Sequence, residues 1–201
     1  MHASVFLSRP TPYLKVQQKF LDRLEADLKA RGLTPQTVGE TDFSISAPLS
    51  TIRSLMLDCD GLIAIAFRRH YIEKGTEKPK SDIKKDGEII KPINLSEQYF
   101  TSPWCQIEPA MAFQIGLPVL IFREKGVRAE GILEKGVFGT YMPEVVLPEI
   151  DWSKRHAKRE CKKKLNHYFS SDEYTQVLKS WESKVWQVVT RKGKPRKLYD
   201  E

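Results

Sequence analysis

Two uninterrupted apolar runs constrain the fold of this chain most strongly. They read GLIAIAF at 61–67 and LPVLIF at 117–122. Apolar residues in succession, without alternating polar ones, are typical of a strand buried on both faces in a parallel sheet. A shorter β-rich run, ASVFLS, occupies 3–8. Together these runs predict an α/β domain whose sheet is covered by helices.

Helical patterns lie between the predicted strands. Apolar residues from Leu14 to Leu28 recur at three- and four-residue steps, and Gly32 is a natural end for that helix. Further strands are expected at 33–38 and 144–147, and further helices near 52–56 and over 101–116. This alternation predicts a flavodoxin-like, open, mainly parallel sheet with helices on both faces.

One segment departs from this alternation. Residues 70–98 hold six basic and six acidic residues and little apolar material. A polar stretch of this length predicts a long loop inserted after the third strand, and such loops are usually functional or mobile.

The basic charge is concentrated at the carboxyl end. Residues 1–150 carry 19 basic and 19 acidic residues, whereas residues 151–201 carry 14 and 7. We therefore predict an α/β domain over 1–150 and a basic helical extension over 151–201, with helices near 153–168 and 172–190. Nucleic acid is a conceivable partner, but a solvated helix face is favoured, because the aromatic residues follow a helical stripe and do not interleave with the charges.

Several functional classes are excluded by absent patterns. We find no signal peptide and no apolar stretch long enough for a membrane span, and the three cysteines are not spaced as metal ligands. We therefore expect a cytoplasmic protein without a metal. Phosphate-binding, dinucleotide-binding, esterase and zinc-protease motifs are also absent. Cys105 is a weak candidate nucleophile, since a small core residue is the commoner role.

A single carboxylate stands in an otherwise apolar segment, TSPWCQIEPAMAFQIGLPVLIF at 101–122. With Ser102 as the helix cap and Pro103 at the first position, Glu108 shares a face with Trp104, Met111 and Ile115. Either Glu108 is buried and paired with an arginine such as Arg9 or Arg53, or it lines a cleft at the carboxyl ends of the strands.

Pro109 directly follows that carboxylate and disfavours helical geometry around it. Either the helix kinks there, or the regular helix begins at Glu108.

The motif SPWCQIE at 102–108 resembles the S-x-W-C-x-x-E signature of Toll/interleukin-1 receptor (TIR) domains. VFLSR at 5–9 is similar to the first-strand motif of that family, and 58–71 is similar to the strand before the signature. The resemblance covers about 1–150. A second resemblance is to nucleoside deoxyribosyltransferases, through 60–67, Glu108 and 116–122.

Both resemblances imply cleavage of an N-glycosidic bond that depends on one glutamate. The TIR resemblance implies release of nicotinamide from NAD, with hydrolysis or with cyclisation to a cyclic ADP-ribose. Glu108 is then the catalytic residue, and NAD is the substrate, so that no cofactor is required. The resemblance also implies substrate contacts from six residues: Phe6, Ser8, Arg9, Phe43, Ser44 and Trp104.

The TIR resemblance implies an NAD glycohydrolase or cyclase that acts in bacterial antiphage defence. The alternatives are a deoxyribosyltransferase-like N-glycosidase and a non-catalytic assembly module. We expect a homo-oligomer whose product could act on a separate effector protein, and no membrane contact.

Overall fold

A five-stranded parallel sheet forms the centre of the molecule. The computed structural model describes residues 2–38, 48–139 and 141–191. In chain order the strands of this sheet are β1 Ala3–Ser8, β2 Leu33–Gln36, β3 Gly61–Ala66, β8 Val119–Glu124 and β9 Glu144–Val145. Their spatial order is β2-β1-β3-β8-β9, and every pair is parallel. This is the flavodoxin-like order, in which the direction of strand addition across the sheet reverses between β1 and β3. The predicted fold class is therefore confirmed.

In the described parts of the chain, five α-helices cover both faces of the sheet. They are α1 Lys15–Ala30, α2 Pro48–Leu57, α3 Trp104–Gln114, α4 Ala157–Phe169 and α5 Asp172–Thr190. Alternate strand residues point to opposite faces, so each face has its own apolar core. One core joins Val5 and Leu7 to α1, α4 and α5. The other joins Phe6 and Ala64 to α2 and α3.

Helix α5 lies close against the central strands. The Trp181 Nε1 group donates to the Pro118 carbonyl at 3.0 Å, and the Tyr174 hydroxyl donates to Asp27 at 2.9 Å. A Cβ at Gly61 would lie 2.7 Å from Val185 Cγ2, so the approach of α5 to β3 requires a glycine there. The predicted domain boundary near residue 150 stays a prediction, although the two helices beyond it pack on the same sheet as α1.

The insertion after β3 is a β-ribbon. Strands β4 His70–Glu77 and β7 Ile93–Phe100 pair antiparallel, and the short strands β5 Lys84–Lys85 and β6 Glu88–Ile89 pair between them. The prediction of a long loop is therefore wrong. Most ribbon side chains are exposed on both faces, so the sequence lacks the apolar and polar alternation that indicates a strand.

The Arg128 side chain contacts both strands of the ribbon. Arg128 forms an ion pair with Glu77 of β4, and its guanidinium lies 5.8 Å from the ring centroid of Phe100 in β7.

Within the described parts of the chain, no helix has both the length and the apolar character needed to cross a membrane.

Candidate active site

Glu108 is buried on helix α3, where the helix packs on the sheet. Its exposed fraction is 8 %, and it shares the buried face of the helix with Cys105, Pro109 and Ala112. The Cys105 thiol lies 3.6 Å from the carbonyl oxygen of Ile65, near the carboxyl end of β3. The amino-terminal half of α3 therefore lies at the edge where the parallel strands end, which is where open α/β sheets bind ligands.

Among the residues that the structure describes, no cation affects the Glu108 carboxyl group. Burial raises its pKa from 4.5 to about 7, and a smaller effect of the Ser8 hydroxyl opposes that rise. No charge from Arg9 or Arg53 contributes to this pKa, so the interpretation that Glu108 pairs with an arginine is not supported among the described residues. A carboxyl group with this pKa exchanges its proton near neutral pH, as acid–base groups of active sites do.

Two hydroxyl groups accompany Glu108 in this buried region. Ser8, the last residue of β1, is 1 % exposed, and Thr101, which follows β7, is 8 % exposed. Both lie beside the Cys105 thiol and lower its pKa. Neither the Ser8 nor the Thr101 hydroxyl completes a hydrogen bond of normal geometry within the described residues. Both hydroxyls therefore keep hydrogen-bonding capacity that the surrounding described residues do not fully use.

Cys105 itself is poorly suited to nucleophilic catalysis. Its side chain is fully buried, and this burial raises the pKa of the thiol to about 12. The reactive form is the thiolate, which is scarcely populated near neutral pH. Cys105 packs as a small core residue between α3 and β3.

The start of α3 largely follows the sequence expectation. Pro103 has helical backbone angles (φ −53°, ψ −31°), and the Ser102 hydroxyl accepts a hydrogen bond from the Trp104 N–H at 3.4 Å. Ser102 Oγ also lies 3.2 Å from Arg69 Nη1, which donates to it. The helix then continues past Glu108 with Pro109 inside it, so it does not begin at Glu108.

The predicted substrate-binding residues lie in different environments. Phe6 is buried in the core between the sheet and α2 and α3, on the same face of β1 as Ser8. Arg9 follows Ser8 and is half-buried. Trp104 is 37 % exposed. The buried face of α3 begins at Cys105 and includes Glu108, and Trp104 does not belong to it. Phe43 and Ser44 lie outside the described residues.

A second buried glutamate shows what a structural carboxylate looks like in this molecule. Glu124, the last residue of β8, accepts hydrogen bonds from Gln17 Nε2 at 3.1 Å and from the Arg68 backbone N–H at 2.9 Å. The Arg68 side chain pairs with it at 3.8 Å. Sequence analysis missed this network, since its three members lie far apart in the chain. Glu108 has no comparable set of donors.

Among the described residues, no group of histidine, cysteine or acidic side chains is arranged to hold a metal ion. No protein-family model matches the chain, and a search of curated proteins finds no match.

Solved structures that are similar to this chain include an N-glycosidase and a set of TIR domains. One is a CMP N-glycosidase of Clostridium botulinum, BcmB, with 15 % identity and a TM-score of 0.39 over 80 % of this chain and 97 % of the other. The second is the TIR domains of the activated Roq1 resistosome, which recognises the effector XopQ. It has 14 % identity and a TM-score of 0.36 over 98 % of this chain and 90 % of the other. Both TM-scores are low, so the function is argued below from the site and the motif.

Proposed function

We propose that this protein cleaves an N-glycosidic bond of a nucleotide, with Glu108 as the catalytic residue and NAD as the substrate. The observation that carries the proposal is the environment of Glu108. Among the described residues, no cation lies beside this buried carboxyl group. The buried Ser8 hydroxyl lies beside it, and the buried Thr101 hydroxyl lies beside the neighbouring Cys105 thiol, at the edge of the sheet where ligands bind.

The chemistry that suits this site is the loss of a leaving group from a ribosyl carbon. In NAD the C1′–N bond breaks, and its electron pair moves to the pyridinium nitrogen, so nicotinamide leaves as a neutral molecule. The positive charge remains on the ribosyl ring as an oxocarbenium-like centre. An adjacent carboxylate stabilises or traps that centre, as the carboxylates of glycosidases do.

The second half of the reaction decides the product. In hydrolysis, water adds to C1′ and loses a proton, and Glu108 is suited to accept that proton because its pKa is close to 7. In cyclisation, a nitrogen of the adenine of the same molecule adds to C1′ instead. We propose that the Ser8 and Thr101 hydroxyls hold ribose oxygens during either step, since both are buried and neither completes a hydrogen bond of normal geometry among the described residues.

The SPWCQIE motif supports NAD as the substrate, since that motif resembles the signature of TIR domains. The biological role that goes with this resemblance is production of an ADP-ribose-type signal in bacterial antiphage defence. In that role the protein would act in the cytoplasm, form homo-oligomers and supply its product to a separate effector protein.

A deoxyribosyltransferase-like N-glycosidase is the second candidate. Residues 60–67 and 116–122, which carry that resemblance, include the neighbouring strands β3 and β8, and α3 with Glu108 lies between them in the sequence. Its substrates would be nucleosides or deoxynucleosides, and the role of Glu108 would be the same. A non-catalytic assembly module is the third candidate.

The test is a product analysis with a matched pair of variants. The purified protein is incubated separately with NAD, ribonucleotides including CMP, and deoxynucleosides, and the products are identified by mass spectrometry. We expect nicotinamide release from NAD, a loss of at least 100-fold in kcat/KM for Glu108→Gln, and no change for Glu134→Gln, which alters an exposed glutamate.

Each outcome separates the candidates. Turnover of deoxynucleosides alone supports the second candidate, and consumption of no substrate supports the assembly module. Unchanged activity in Glu108→Gln would show that the catalytic assignment is wrong.

A further inference from the structure

A basic groove lies between helices α1 and α4. We define the basic groove by four cationic side chains, Lys19, Arg23, Lys158 and Lys162, around an apolar floor of Trp152 and Leu165. The groove encloses about 260 Å³. It lies on the face of the sheet covered by α1 and α4, whereas Glu108 lies on the face covered by α2 and α3. The groove is therefore independent of the candidate active site.

The cations form two facing rows. Lys19 and Arg23 are four residues apart on α1, and Lys158 and Lys162 are four residues apart on α4, so each pair lies on one side of its helix. Lys15, one turn before Lys19, places its ammonium 5.6 Å from the ring centroid of Trp152. The charges on α4 are evident from the sequence. That the α1 cations face them is not, because the two helices are more than 120 residues apart in the chain.

The acids around the groove do not balance these charges. Lys19 pairs with Asp22 at 2.8 Å, and Arg23 lies 3.7 Å from Asp27, which also pairs with Arg31. Glu160 of α4 pairs with Lys164, outside the groove. Among the described residues, neither Lys158 nor Lys162 forms an ion pair. A bound anion can therefore contact the α4 cations without breaking an existing ion pair.

The shape and lining of the groove indicate which anion fits. Trp152 is half-buried, with part of its side chain packed on the core and part lining the groove. An aromatic floor between two rows of cations matches a base flanked by phosphates, and single-stranded nucleic acids are bound in this way. The volume suits one base rather than a longer stacked segment.

We propose that the basic groove binds single-stranded nucleic acid, with phosphates on Lys158, Lys162 and the α1 cations and one base on Trp152. A duplex is a poorer ligand, since its bases are stacked inside the helix and do not reach the Trp152 ring.

The test measures binding of the full chain to fluorescein-labelled 12-nucleotide DNA and RNA strands, and to a 12-base-pair duplex, by anisotropy at several salt concentrations. The double variant Lys158→Gln with Lys162→Gln removes two phosphate contacts. We expect it to weaken single-strand binding at least tenfold and to reduce the slope of log K against log salt by about 1.4, since each contact on a single strand contributes about 0.7.

The matched control is Lys179→Gln with Lys184→Gln, which removes the same charge from exposed positions on α5. We expect less than a twofold change. If the two double variants lose the same amount of binding affinity, the groove is not the binding site, and the binding reflects general charge attraction. Binding of the wild-type chain that is undetectable at 50 mM salt would overturn the proposal as well.

A second variant pair tests the base on Trp152. Trp152→Phe keeps a ring face, whereas Trp152→Leu keeps only apolar volume. We expect Trp152→Leu to weaken single-strand binding at least fivefold and Trp152→Phe to weaken it less than threefold, with melting temperatures measured to confirm folding. Competition with heparin and with anionic vesicles gives a last test. If either competitor displaces the labelled strand as readily, by weight, as unlabelled strand does, the nucleic-acid proposal is overturned in favour of a general polyanion or a membrane surface.

Discussion

Glu108 and Glu124 are both buried glutamates whose pKa is raised mainly by burial, yet their surroundings differ. Glu124 has hydrogen-bond donors from Gln17 and Arg68, so its charge is compensated within the fold. Glu108 has only the Ser8 hydroxyl nearby to oppose the effect of burial. Of these two buried carboxyl groups, Glu108 is the less compensated by its described neighbours, which is why we propose it as the catalytic residue.

This burial makes the stability of the protein depend on pH through Glu108. The pKa of this carboxyl is about 7 in the folded chain and near 4.5 when unfolded, so the folded state binds more protons between these values. The free energy of unfolding therefore falls as pH rises from about 4.5 to about 7. We expect Glu108→Gln to match the wild type at pH 4.5 and to be more stable by up to about 3 kcal/mol at pH 8.

Urea unfolding at the two pH values measures this difference. Glu134→Gln changes an exposed glutamate and serves as the control, with no expected change at either pH. A Glu108→Gln variant that is less stable than the wild type at pH 8 would contradict the raised pKa. If Glu108 acts as a carboxylate, kcat/KM of the wild type should also rise with pH with a midpoint near 7.

The Thr101 hydroxyl gives a second prediction at this scale. It is buried and completes no hydrogen bond of normal geometry among the described residues, so Thr101→Val removes a poorly satisfied group while keeping the shape of the side chain. We expect the free energy of unfolding to rise by about 1 kcal/mol. We also expect kcat/KM for NAD to fall at least tenfold, because a contact to the substrate is lost.

A threonine with a satisfied hydroxyl provides the control. Thr175 Oγ1 donates to the Ser171 carbonyl at 2.9 Å, so Thr175→Val should lower stability by about 1 kcal/mol and leave activity unchanged. Two variants that lose stability equally would show that the Thr101 hydroxyl has a structural partner.

At the scale of elements, the pattern of apolar residues predicted the sheet strands and most helices. Each of these elements buries one of its faces or both, and burial leaves a regular apolar pattern in the sequence. GLIAIAF became β3, and the apolar steps from Leu14 to Leu28 became α1. The ribbon was not predictable in this way, since its two faces are both largely exposed. The position of Trp104 was also not predictable, because helical spacing relates residues to each other and does not specify which face meets the sheet.

Pro109 is the residue of α3 that propensity does not explain. A proline inside a helix leaves the carbonyl four residues earlier, here that of Cys105, without its helical donor. We expect Pro109→Ala to raise the free energy of unfolding by about 1–3 kcal/mol. If Pro109 fixes the direction of the Glu108 side chain, the same change should lower kcat at least tenfold.

Pro103→Ala is the matched change in the same helix. Pro103 has the φ that proline prefers, and it stands where no helical donor is required, so alanine should lower stability by less than 1 kcal/mol and leave kcat unchanged. Full activity in Pro109→Ala would show that the proline has no part in aiming Glu108.

At the scale of the whole molecule, the carboxyl-terminal helices belong to the core that α1 shares with the sheet. Tyr174, Leu178, Trp181 and Val185 are buried in this core, and Trp181 is 4 % exposed. The apolar stripe that the sequence shows along α5 is thus covered by the sheet and α1. Charge counting marked residue 150 as a change of composition, but composition does not report which core a helix joins.

Two tryptophans allow this integration to be measured with one kind of substitution. Trp181→Ala removes a buried ring and its hydrogen bond to Pro118, so we expect a loss of about 3–5 kcal/mol. Trp104→Ala removes a ring that is 37 % exposed and should cost less than about 2 kcal/mol. For a chain of this size, each kcal/mol corresponds to about 2–4 °C in melting temperature. Thermal unfolding followed by circular dichroism should therefore separate the two variants by several degrees, in one cooperative transition. A Trp181→Ala protein that melts in two steps, with the sheet surviving the loss of α5, would show that the carboxyl-terminal helices fold as a separate unit.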